Sequence, residues 1–230
     1  LKLLEPFRGK VPDEVFGEPY VPPVTDGSGH DLRLLRRAAQ LLGEAGCPVV
    51  NGRRMLPNGQ PLIIEFLDDE PGLQPHHLPF IKNLGTLGIE ATLRLVDPVQ
   101  YRKRVDDFDF DITVDRLSFS STPGDSLRTY LSSQAASIKG SQNHAGIADP
   151  AIDAMIERII EAKTREGLTV ACRALDRVFR AGRYWIPHWY LPAHRIAYWD
   201  VFSWPAEKPH YFRGVPETWW YDEAKAKKLG

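Results

Sequence analysis

The residues with the clearest covalent potential are Asp109-Phe110-Asp111-Ile112-Thr113. They match a D-x-D-x-T pattern, in which the first carboxylate attacks a phosphoryl group and the second acts as acid and base. A phosphatase-like hydrolase using Asp109 and Asp111 is therefore one reading. That chemistry needs an apolar strand that delivers the first aspartate at its exit. Here Arg104, Asp106 and Asp107 come before the pair and the apolar residues come after it. The aspartates thus stand at a strand's entrance, and a solvated acidic turn explains them better.

Nothing else in the chain argues for catalysis. The seven histidines are scattered, and none forms an HExxH pair or a tight group with carboxylates. His76-His77 reads as an exposed pair at a helix start. Cys47 and Cys172 cannot complete a four-ligand zinc site, and whether they form a bridge is open. No G-x-S-x-G or phosphate-loop string occurs. No cofactor or metal is expected.

Binding chemistry is better represented. After an apolar run at 110–117 comes the polar string 118–126, SFSSTPGDS. Arg116 can pair a carboxylate or phosphate bidentately. Phe119 can supply an apolar wall, while Ser118 and Ser120 can hydrogen-bond a peptide backbone. The plain alternative is an ordinary loop, with Asp125 capping a helix at 126–131.

These side chains need a scaffold, and hydrophobic spacing predicts one. Asp31 precedes Leu34, Leu35, Ala38, Leu41 and Leu42, one face of a helix stopped by Gly46 and Pro48. A turn or small hairpin follows at 49–60, with Asn58-Gly59 as its turn dipeptide. Strands are expected at 61–67, 89–96 and 110–117, separated by helices at 76–87 and 98–106. That alternation predicts an α/β fold with a mostly parallel sheet flanked by helices. Ligands of such sheets bind beyond the carboxyl ends of the strands, where Arg116 to Thr122 would lie. Helices follow at 149–163 and 166–181, and short strands at 185–190 and 194–199. Residues 5–30, with five prolines and four glycines, read as an irregular surface segment.

The chain has 230 residues, with 29 Lys+Arg against 30 Asp+Glu. That balance argues against a nucleic-acid partner. The chain starts at Leu1 with no leader segment, which reads as a processed chain or a piece of a longer one.

Several stretches resemble the C-terminal half of family 5 extracellular solute-binding proteins, the peptide and nickel receptors of ABC importers. They are DLRLLRRAAQLLGEAG (31–46), NGQPLIIEF (58–66), LGIEATLRLVDPVQYRKRVDDFDFDI (87–112), GSQNHAGIADPAIDAMI (140–156) and WIPHWYLPAHRIAYW (185–199). The string NHAGIADPAID and the closing GVPETWWYD (214–222) are most similar to the oligopeptide branch that also takes microcin C-type peptides. The resemblance implies a lobe of the periplasmic binding protein-like II fold, located in the periplasm. Its partners would be a peptide ligand, an ABC permease and a missing N-terminal lobe. Residues 1–199 would form the ligand-binding lobe. The tail 200–230, with Trp204, Trp219 and Trp220, would pack on the missing lobe or locally. The family's acid for a peptide amino terminus aligns with Phe119, so Asp115 or the other lobe would have to serve. Asn143 and His144 fall in a segment that lines the family's cleft.

Overall fold

The computed structural model describes residues 1–120, 122–208, 210 and 212–229. Its first long helix, α1 (Leu32–Glu44), starts where the sequence places a cap, since the Asp31 carboxylate accepts from the amides of Arg33 and Leu34. Beyond it, β1 (Val49–Val50) and β2 (Arg53–Arg54) pair antiparallel around Asn51-Gly52. Both turn residues have positive φ, 50° and 79°, which a two-residue hairpin turn requires.

The sheet that follows is parallel. β3 (Ile63–Asp68) lies between β4 (Glu90–Leu95) and β5 (Ile112–Thr113). Ile63 pairs with Glu90, Phe66 with Leu93 and also with Ile112 on the other side. β5 is shorter than the expected run at 110–117: Asp111 lies before the ladder, where its carboxylate accepts from the Glu65 amide, and pairing stops after Thr113. α2 (Gln74–Thr86) connects β3 to β4, and α3 (Pro98–Asp106) connects β4 to β5. Asp97 caps α3 through the amides of Val99 and Gln100. β3 goes from exposed at Ile63 to buried at Phe66, Leu67 and Asp68. Phe66 meets Phe80 of α2 edge-on at 5.8 Å.

A second layer is helical. α4 (Ser126–Leu131), α5 (Pro150–Ile160) and α6 (Arg165–Gly182) enclose Leu127, Leu131, Ile152, Met155, Ile156, Ala171 and Val178. Asp149 caps α5 and Thr164 caps α6. Asp125, expected to cap α4, makes no side-chain cap bond and pairs with Arg128 instead.

The chain's first residues join this core. Leu4, Val11 and Val15 are buried with α5 and α6. This corrects the surface reading of 5–30 over its first third. The cause is visible in α6 and just beyond it. Arg177 donates to the carbonyls of Val15 and Gly17, and Arg180 to that of Tyr20. Arg183 grips Glu14 with both terminal nitrogens, at 2.6 and 2.9 Å.

Past α6 the expected strands at 185–190 and 194–199 do not form. Residues 186–200 are exposed coil. No amide between Tyr184 and Asp200 donates to a backbone carbonyl among the described residues. The apolar alternation is there, but a strand also needs a neighbouring strand, and none pairs with it among the described residues. We call this segment the strap. It leads to β6 (Phe202–Ser203), which pairs antiparallel with β7 (Trp220–Tyr221), and then to α7 (Glu223–Leu229). Trp204 stacks on Trp219 at 4.7 Å, and Tyr198 meets Trp219 edge-on at 4.8 Å, so part of the tail packs locally. Trp220 stays half exposed. Cys47 and Cys172 are free thiols. No helix among the described residues is long and apolar enough to cross a membrane.

Candidate functional site

The strand ends dictate where side chains gather. β3 delivers Asp68, Asp69 and Glu70, and β5 delivers Val114, Asp115, Arg116 and the 118–120 string, all at the carboxyl edge of the sheet. Residues 115, 116 and 118–120 are exposed, so this edge is an open face.

Arg116 is not a free cation. Its two terminal nitrogens donate to both oxygens of Glu70, at 2.7 and 2.6 Å. The guanidinium holds the Glu70 carboxyl below its ordinary range. Arg116, read from the sequence as able to pair a ligand carboxylate or phosphate bidentately, spends that fork on Glu70, so the edge presents a neutral, bidentate pair that joins β3's exit to β5's exit.

Asp115 and His144 meet here from distant parts of the chain. His144 Nδ1 lies 2.9 Å from Asp115 Oδ2, and the Arg116 amide donates to Asp115 Oδ1. The His144 hydrogen bond is the main cause holding the Asp115 carboxyl below the ordinary aspartate range. A depressed acid adds stability above the unfolded-state value, and that stability is lost as pH falls through the folded-state value. His144→Ala should accordingly move the Asp115 carboxyl carbon titration, followed by ¹³C NMR, up toward the ordinary range. An unmoved titration would contradict the coupling.

Phe119 faces helices rather than the Asp115 pair. Its ring meets Tyr130 edge-on at 5.4 Å and lies nearly parallel to Trp185 at 6.5 Å. Trp185 in turn packs on Phe179 of α6 at 4.5 Å. Phe119 is still 42% exposed, so it forms a wall with one free side. Ser118 is exposed, and the Ser120 hydroxyl accepts from the Thr122 amide.

Asn143 is placed differently from expectation. It is 1% exposed. Its amide nitrogen donates to the carbonyls of Ser132 and Ile147, and its oxygen accepts from the Ile147 amide, at 2.9 to 3.0 Å. That side chain is consumed in closing its own turn and cannot reach a ligand. It sets the loop that presents His144.

Sequence reasoning did not find a second acid–imidazole pair. His77, expected at the surface with His76, is buried with its Nε2 at 2.7 Å from Asp68 Oδ2. The other Asp68 oxygen accepts from the amides of Asp69 and Glu70, which aims Glu70 at Arg116. The available signal was Asp68 directly after an apolar strand that runs into the core. Tyr101 is also at this edge. Its hydroxyl bonds to Thr113 Oγ1 at 2.8 Å, and burial raises its pKa.

Asp109 and Asp111 lie at the other end of β5. Asp109 pairs with Arg104 at 2.8 Å, and Asp111 is used on the Glu65 amide. No group of three or more metal-ligating side chains occurs among the described residues.

No family model matches the chain. It is 44% identical over 226 residues to protein y4wM of Sinorhizobium fredii, covering 97% of this chain and 34% of that protein. It is 40% identical over 226 residues to a probable peptide-binding protein, YejA, of Agrobacterium fabrum, covering 97% of this chain and 37% of the relative. The chain thus spans about a third of the length of the curated relatives it matches. Among solved structures it resembles the oligopeptide-binding protein AppA of Bacillus subtilis in complex with a nonapeptide, with a TM-score of 0.58 and 16% identity over 81% of this chain and 37% of that one. It also resembles a periplasmic oligopeptide-binding protein from Thermotoga maritima bound to mannohexaose, with a TM-score of 0.59 and 19% identity over 74% of this chain and 33% of that one. The fold is that of a type II periplasmic binding protein lobe: a parallel sheet flanked by helices.

Proposed function

We propose that the chain is the ligand-binding C-terminal lobe of a family 5 periplasmic solute-binding protein, which captures oligopeptides and hands them to an ABC permease. The observation that carries this reading is the 40% identity to a probable peptide-binding protein along nearly the whole chain. The fold alone would not select peptide, because the same architecture is seen with a nonapeptide and with mannohexaose.

In this reading the carboxyl edge of the sheet is one wall of a cleft, and a second lobe, carried by the rest of the protein, supplies the other. Ser118 and Ser120 offer hydroxyls to a peptide backbone and Phe119 offers an apolar surface. The Glu70–Arg116 and Asp115–His144 pairs form a polar floor of low net charge, suited to many peptides rather than one. Asn143 acts indirectly by fixing His144. The exposed apolar side chains of the strap, Ile186, Trp189, Tyr190 and Trp199 among them, would be covered by the second lobe together with part of the tail. Binding would be non-covalent, and closure of the two lobes on the ligand would signal the permease. The ligand range would lie in the oligopeptide branch that includes microcin C-type peptides.

Titration calorimetry with a mixture of synthetic tri-, tetra- and pentapeptides tests this. A protein extended to the relatives' length should bind saturably, and the 230-residue chain at least about 100-fold more weakly, a loss of about 2.7 kcal/mol. Equal affinity of the two, or an extended protein that binds mannohexaose and no peptide, would overturn it.

A further inference from the structure

The two polar pairs at the carboxyl edge draw on both strand exits. Glu70 follows β3, whereas Asp115 and Arg116 follow β5. The β3–β5 ladder ends at Leu67 and Thr113, before any of these side chains is reached. Beyond that point backbone pairing no longer keeps the two exits in register.

One phenol sits at this junction. The Tyr101 hydroxyl lies 2.8 Å from Thr113 Oγ1 and 3.3 Å from the Val114 carbonyl oxygen. Thr113 Oγ1 in turn donates to the Leu67 carbonyl at 3.0 Å. Each hydroxyl has one proton. With the Thr113 proton on Leu67, the Tyr101 proton is shared between Thr113 Oγ1 and the Val114 carbonyl, so every bond in the chain has a donor. The ring is itself well anchored. It stands in the first turn of α3, where the Asp97 side chain caps two amides and the Asp97 carbonyl accepts from the Tyr101 amide at 2.8 Å. Side chains thus join α3, β5 and β3 where the backbone ladder stops.

We propose that Tyr101 is a positioning residue of the candidate site: through Thr113 and Val114 it sets where β5 leaves the sheet, and so aligns Asp115 with His144 and Arg116 with Glu70. This rests on reading the edge as a ligand-binding wall. The phenol is spent on the protein and acts on a ligand only through those pairs. Burial is the largest cause raising its pKa, and the charges of Asp69, Asp68 and Asp115 add to it against the Thr113 hydrogen bond. The hydroxyl therefore remains a donor throughout the neutral range.

The test uses three variants of nearly constant shape. Tyr101→Phe removes the donor and keeps the ring, Thr113→Val removes the relay, and Thr113→Ser keeps the relay's hydroxyl. In the 230-residue chain, the Asp115 carboxyl carbon is followed through an acid titration by ¹³C NMR. Tyr101→Phe and Thr113→Val should each raise its midpoint toward the ordinary aspartate range, with far-UV ellipticity unchanged. Thr113→Ser should match the wild type. The double variant Tyr101→Phe/Thr113→Val should go no further than the larger single effect, because both act through one contact. In the protein extended to the relatives' length, affinity for the tri- to pentapeptide mixture should fall about tenfold in Tyr101→Phe and Thr113→Val, the equivalent of one neutral hydrogen bond. An Asp115 midpoint unmoved in both variants, Thr113→Ser as disturbed as Thr113→Val, or effects that sum in the double variant would each overturn the assignment. Lost affinity with an undisturbed Asp115 would overturn it too, since it would make Tyr101 a direct ligand contact. An extended wild type that binds no peptide would overturn the peptide reading instead, and the titration of the unliganded chain would still decide the role of Tyr101.

Discussion

Asn143→Ala is expected to destabilise the fold by about 3 kcal/mol, a large effect for one polar side chain. The reason is the arithmetic of unsatisfied groups. Asn143 satisfies one amide and two carbonyls, and Ile147, which supplies two of the three, is 0% exposed. Every buried side-chain N or O among the described residues already has a partner. Truncation leaves three backbone groups with little access to water. Asn143→Asp discriminates this account from simple loss of volume. A carboxylate can still accept from Ile147 but would face two carbonyls with no donor, so it should be about as damaging as alanine. Urea unfolding with an unchanged m-value reads both. Losses under about 1 kcal/mol for either variant would refute the account.

Asp68→Ala should cost a similar amount, again about 3 kcal/mol. Asp68 and His77 are buried side by side, so deleting the acid strands the imidazole and also uncaps the amides of Asp69 and Glu70. Asp68→Asn should cost about 1 kcal/mol. Its oxygen can keep the two amides, and its NH₂ can donate to His77 Nε2 once the ring changes tautomer. Denaturation at pH 7 compares the two variants, and the ranking Ala well below Asn is the expected result. The alanine variant should also loosen the Glu70–Arg116 pair, because Glu70 loses the turn that aims it.

How much of this was legible in the sequence divides along a physical line. Local signals were mostly read correctly. Asp31 and Asp149 stand before their helices and cap them, and the periodic apolar faces of α5 and α6 lie in the core, whereas Asp125 pairs with Arg128 instead of capping α4. Strand order was legible in outline, because alternating elements with short joints leave few topologies. Most of what failed depended on partners that spacing along the chain does not reveal. The strap has strand-like alternation, but pairing depends on a neighbour that sequence pattern does not reveal. Arg116 looked like a free cation because Glu70 is 46 residues away. His77 looked exposed because its acid sits at the end of a strand nine residues earlier. Asn143 looked like a ligand contact because a turn asparagine and a binding asparagine have the same residue signature. The Asp115–His144 pair spans 29 residues, and each member was a candidate only separately.

The burial of Leu4, Val11 and Val15 against α5 and α6 sets a timetable for biosynthesis. These residues are made well before their hydrophobic partners, which follow only after some 150 more have been added. The β3–α2–β4–α3–β5 stretch, whose strand pairings all lie within the stretch itself, can mature while they wait. Until α6 arrives, those three side chains have no burial site in this layer, which makes this segment of the nascent chain a natural client for a holding chaperone.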